Sequence, residues 1–178
     1  LVCGHGTVRT GVRGGLGCES QRALPAVTTM LPEAARIIGI DPGQSTGIAI
    51  LRGGVVAELK TVRPDDLAAL LCEWRPRLVV YEDSRPDTMY PRAGAGQRTM
   101  MHIARCVGQI DLQCRDIEEL CAREGIECLG VTPNRKGRKR NAAQFTALTG
   151  WTGSSNRHTR AAGVIAWPFR RGISTGFV

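Results

Sequence analysis

Aromatic side chains are scarce: three Trp, two Tyr and three Phe in 178 residues. Any core must therefore be aliphatic rather than built on stacked rings. Acidic residues are also in short supply, 16 Asp and Glu against 24 Lys and Arg, which leaves a formal net charge of +8. A chain of that sign gains affinity for polyanions by releasing their condensed counterions, and the Arg fork grips phosphate oxygens in pairs. Cys-x-x-Cys pairs are lacking altogether. The seven cysteines are odd in number and scattered (Cys3, Cys18, Cys72, Cys106, Cys114, Cys121, Cys128), a pattern that suits reduced thiols in a cytosolic protein better than a secreted disulfide framework or a zinc site. No apolar run approaches membrane-spanning length, and the first residues lack the continuous apolar middle of a secretory signal. A cytoplasmic location away from membranes is the expectation.

What is present centres on residues 36–51, an apolar strand, a tight turn and a second apolar strand. Pro42 fixes φ, while Gly43 and Gly47 permit a sharp reversal. The hairpin places Asp41 at a strand end. A rigid strand end is a common platform for a hard oxygen ligand, and an Asp there also shapes turns; on the hairpin alone both readings stand. Residues 1–34, rich in Gly, Arg, Thr and Ser with no sustained period, read as a disordered extension. Met30 lies just before the first strand and is the expected start of the functional protein.

Downstream, Val55 to Val62 alternates as a third antiparallel strand after the Gly53-Gly54 turn. Pro64 to Trp74 reads as a helix with Leu67, Leu70, Leu71 and Trp74 on one face, stopped by Pro76. The apolar run at 78–82 suits a buried central strand that delivers Glu82 at its end. Glu82 is either the second half of a metal site or an ion-pair partner of Arg85. Residues 87–98 read as an exposed loop carrying Tyr90, Arg92 and Arg98. A long helix follows over 99–124, with one face available to a partner subunit; its His102 is either a ligand or a solvated surface histidine. The strand at 126–131 completes a βαβ crossover. The densest positive patch comes next: Arg135, Lys136, Arg138, Lys139 and Arg140, five cations in six positions. Mutual repulsion gives such a segment little to gain from packing on its own domain and much from meeting phosphates. Short helices at 144–148 and 156–167 end the ordered chain. The domain is expected to span 35–170, with 171–178 as a tail.

Gly-Ile-Asp-Pro-Gly at 39–43, Val-Val-Tyr-Glu at 79–82 and His158-Thr-Arg-Ala161-Ala162 on the last helix together resemble the RuvC-like Holliday junction resolvases, nearest to their phage and prophage branch. The resemblance spans about residues 36–170. It implies an α/β, RNase H-like (RuvC-like) fold, a mixed five-stranded sheet flanked by helices. It further implies a homodimer that cuts four-way and other branched DNA junctions, in a bacterial host cytoplasm if phage-encoded. Two divalent ions, Mg²⁺ with Mn²⁺ able to substitute, would be held by Asp41, shared between them, by Glu82 and by His158. DNA would be tracked by Arg92, Arg98 and the 135–140 patch.

The chain departs from that family at Ala161, where the resemblance implies an acidic ligand three residues after His158. A methyl group cannot ligate a metal. Asp83 is not an obvious substitute, because successive strand residues point to opposite faces. Two rivals follow. One is a junction-binding protein that does not cut, a natural or engineered inactive variant. The other is an actin-like phosphotransferase, which needs a second glycine-rich phosphate loop and a second domain; the sequence shows neither.

Overall fold

The computed structural model describes residues 36–86, 96–133 and 139–171. The expected N-terminal extension and all of the tail but Arg171 lie outside them, as do Tyr90, Arg92, Arg135, Lys136 and Arg138. Five strands form one sheet: β1 (Ile37–Asp41), β2 (Thr46–Arg52), β3 (Val55–Val62), β4 (Leu78–Glu82) and β5 (Glu127–Val131). Their order across the sheet is β3-β2-β1-β4-β5. β1, β2 and β3 are antiparallel neighbours, whereas β4 runs parallel to both β1 and β5. This is the mixed five-stranded sheet expected from the sequence.

Helices cover both faces, which is why β1 and β4 read as continuous apolar runs rather than alternating ones. On one face, Ile38, Ile40, Ile48, Ile50, Val79 and Tyr81 pack against α1 (Leu67–Trp74) and the C-terminal half of α2 (Gln97–Glu124), through Leu70, Leu71, Cys114, Ile117 and Cys121. On the other, Ile37, Ala49, Leu51, Leu78 and Val80 meet Phe145 of α3 (Ala142–Thr149) and Ala162, Ile165 and Ala166 of α4 (Arg157–Ala166). The helical spacing of Cys106, Cys114 and Cys121 suggests small buried apolar groups; Cys114 and Cys121 are fully buried, whereas Cys106, on the N-terminal half of α2, is only partly so. Among the described residues no helix is long and apolar enough to cross a membrane.

Helix ends follow local chemistry. The segment at 64–74 starts as a 3-10 turn, Pro64–Asp66, before becoming α-helical. It stops one residue before Pro76: Arg75 leaves with φ 41°, because a following proline disfavours the helical conformation. α3 begins at Ala142, two residues earlier than its apolar pattern indicates, because Asn141 and Gln144 form a reciprocal capping box.

α4 lies unusually close to the sheet, and two glycines allow it. A Cβ on Gly39 would sit 2.1 Å from the Ala162 carbonyl oxygen, and one on Gly47 would sit 2.4 Å from the backbone of His158. Ala162 and Ala166 present the matching small surface on the helix. The start of α4 is thereby pressed onto the sheet at Gly47, whose register partner is Asp41.

Candidate active site

Asp41 and Glu82 end adjacent parallel strands. The β1–β4 register pairs Ile40 with Tyr81, so its continuation sets Asp41 beside Glu82. Strand alternation sends both side chains to the α4 face, the one occupied by Ile37, Leu78 and Val80. The turn after Asp41 is closed by the Thr46 hydroxyl, which donates to the Gly43 carbonyl at 3.0 Å. Gln113 of α2 donates to the same carbonyl at 3.3 Å.

The third element arrives from the end of the chain. Asn156 caps α4, its side-chain oxygen accepting from the backbone N–H groups of His158 (2.9 Å) and Thr159 (3.0 Å). Its Nδ2 donates to Thr61 Oγ1 on β3 at 2.8 Å. The cap is therefore pinned to the sheet, and His158, second residue of the helix, is carried to Asp41. His158 Nδ1 lies 2.8 Å from Asp41 Oδ2. Arg157 donates through Nε to His158 Nε2 at 3.0 Å. Arginine cannot accept a hydrogen bond, so Nε2 is the acceptor and Nδ1 carries the proton donated to Asp41. Both imidazole nitrogens are engaged.

These groups open onto a cleft of about 570 Å³ lined by Asp41, Glu82, His158 and the half-buried Ala161. Its other charged lining residues are all cations, Lys139, Arg140, Arg157 and Arg160, beside the apolar Ile110 and Val164. Arg160 has a structural task, donating to Arg140 O at 3.1 Å and to Ser155 O and Oγ at 3.1 and 3.2 Å. It fastens the end of the basic segment to α4.

The residue just after β4 goes the other way. Asp83 is bound by Arg85 through both carboxylate oxygens, Nε to Oδ1 at 2.8 Å and Nη2 to Oδ2 at 2.9 Å. Arg85 also holds Glu118 of α2, with Nη1 to Oε2 at 2.9 Å, and the Tyr81 hydroxyl donates to Glu118. Hydrogen bonding to Arg85 keeps both carboxyls below their ordinary range. Burial, reinforced by Glu118, raises the Tyr81 phenol far above its usual value. Arg85 thus pairs with Asp83 and Glu118, in place of the Glu82–Arg85 pair that strand-end spacing also allowed.

Of the sequence-derived candidates, Asp41, Glu82, His158, Ala161, Lys139 and Arg140 share the cleft. Arg98 does not line it; it stands exposed on the first turn of α2. His102 is likewise exposed, with Cys106 Sγ 3.7 Å from its ring. Arg157 and Arg160 were not singled out by sequence, although they flank His158 within one helical turn.

No protein-family profile and no curated protein sequence matches the chain. Among solved structures, it is similar to Thermus thermophilus RuvC in complex with a Holliday junction substrate, at TM-score 0.55 and 13% identity, covering 75% of this chain and 92% of that one. A second Thermus thermophilus RuvC structure aligns at TM-score 0.48 with the same identity and coverage. The five-stranded sheet, its flanking helices and the placement of α4 over the first strand make this a RuvC-like, RNase H-like fold.

Proposed function

We propose that this protein is a structure-selective endonuclease that binds four-way and other branched DNA junctions and hydrolyses phosphodiester bonds there. The observation that carries the reading is the juxtaposition of Asp41 and Glu82 on adjacent strand ends, at one level and on one face, in a cleft walled by Lys and Arg. Paired carboxylates are the donor chemistry of Mg²⁺, which takes one or two protein carboxylates and completes its shell with water and substrate phosphate. The residues fit one such ion. Bound there, it would lower the pKa of a water and stabilise the departing oxygen. Asp41 and Glu82 would hold it. His158 would fix the Asp41 carboxylate through its Nδ1–H, while Lys139 and Arg140 would seat the DNA backbone, contacts that position without reading sequence.

A homodimer would present two such clefts to the two sides of a junction. The exposed apolar side chains Met101 and Leu112, which fall on one face of α2, would supply a surface for it. Sedimentation velocity at micromolar concentration tests that point. Within this reading, the three motifs favour the phage and prophage branch.

Ala161 favours a second reading, a junction-binding protein that does not cut. A labelled four-way junction incubated with Mg²⁺ and the wild-type chain, Asp41→Asn or Ala161→Asp separates the two. Cleavage by the wild type, lost in Asp41→Asn, supports the nuclease. Cleavage only by Ala161→Asp assigns the chain as a binder, and absence of both binding and cutting defeats both readings.

A further inference from the structure

We propose that the cleft works with a single divalent ion and that the Arg157 guanidinium takes the place of a second, gripping the DNA phosphate directly. The inference rests on the nuclease reading and deepens it. Among the described residues no group of three or more His, Cys, Asp and Glu side chains is placed to hold a metal ion. The position on α4 facing the carboxylates is the Ala161 methyl. His158, the remaining donor, has Nδ1 on Asp41 and Nε2 on Arg157, so neither nitrogen is presented to a metal.

Charge balance leads to the same place. Two divalent ions would set four positive charges against the carboxylates of Asp41 and Glu82, beside a cationic wall. A guanidinium beside a single ion adds less positive charge than a second ion would, and its fork meets the anionic phosphate directly. Arg157 is singled out from the other cations by position. Its Nε bond to His158 ties the side chain to the histidine that touches Asp41, and its terminal Nη groups carry the fork geometry that matches two phosphate oxygens. Arg160, by contrast, is engaged with Ser155 and Arg140. Arg157 also occupies the first position of α4, where the helix dipole favours an anion.

Two readouts that do not depend on cleavage test the proposal. Titration of Mn²⁺ followed by electron paramagnetic resonance, with a four-way DNA junction present, should give one tight ion per wild-type chain and two for Ala161→Asp. Two ions on the wild type overturn the single-ion claim. Junction binding in EDTA, measured by fluorescence anisotropy across a salt series, should weaken roughly tenfold in Arg157→Ala, with the log–log salt slope reduced by about one. Arg157→Lys should keep most of the slope but lose affinity, because a point charge replaces the fork. Unchanged affinity and slope in Arg157→Ala, in a variant shown folded by circular dichroism, overturn the role of Arg157. If the wild type binds no junction at all, the DNA reading itself fails, and the ion count still decides the single-ion claim.

Discussion

Glu82 and Asp83 are consecutive residues with opposite fates. Asp83 joins Tyr81, Arg85 and Glu118 in a network that satisfies its own charges, whereas Glu82 shares with Asp41 a cleft whose other charged walls are cationic. One side of the strand end is closed by ion pairing with Arg85, and the other opens onto the cleft. The lesson is that a carboxylate at a strand end is no signal until its face is known. Alternation at the end of β4 decides which acid joins the ion-pair network and which lines the cleft.

The sharpest way to break the contrast is Arg85→Ala. It leaves Asp83 and Glu118 without their shared cation, and a cost of about 3 kcal/mol is expected in urea unfolding, since stranding partly buried carboxylates costs more than the pair contributes. Junction binding should change little in whatever fraction remains folded. Gly47→Ala attacks the other side. The new Cβ would collide with the His158 backbone, lifting the start of α4 from Asp41 at a cost of about 2 kcal/mol. Loss of any metal-dependent cleavage is expected from Gly47→Ala even below its melting temperature.

Acid should separate the two faces as well. Asp83 and Glu118 have folded-state pKa values depressed below their ordinary 3.8 and 4.5. Their contribution is complete above the ordinary values and is lost as pH falls through the folded ones. Stability of the wild type should therefore decline below about pH 5, and Arg85→Ala should flatten that decline; identical slopes for the two proteins would remove the network from the explanation. The smallest effect is expected from Asp41→Asn. A part-exposed His–Asp contact contributes little to folding, so the change in unfolding free energy should be under about 1 kcal/mol, while cleavage disappears.

Much of this was legible in the sequence because it depends on local pattern. Apolar runs ending in Asp41 and Glu82, turns at Gly53-Gly54 and a long periodic helix ending at Gly125 each announce their element. The parallel pairing of β4 with β5 follows from the βαβ crossover read between them. What pattern could not supply was contact across the chain. Arg85 had Glu82 and Asp83 beside it in sequence, of which the pleat excludes Glu82, while its other partner, Glu118, comes from 33 positions away. Arg157 carried no signal of its own in the sequence; its contact with the His158 ring appears only in the folded start of α4. The close seating of α4 depends on Gly39 and Gly47 being opposite Ala162 and His158, a coincidence no single window of sequence contains. Arg92, Arg135, Lys136 and Arg138 lie outside the described residues, so their part in tracking DNA stays a proposal.

The bond between His158 and Asp41 joins residues 117 positions apart, and this has a consequence for synthesis. The hairpin bearing Asp41 leaves the ribosome early, and Glu82 follows after α1. The cleft cannot be assembled until α4 has emerged and settled on Gly39 and Gly47, because long-range contacts form only after the intervening chain exists. Docking of α4 is the step that completes the cleft.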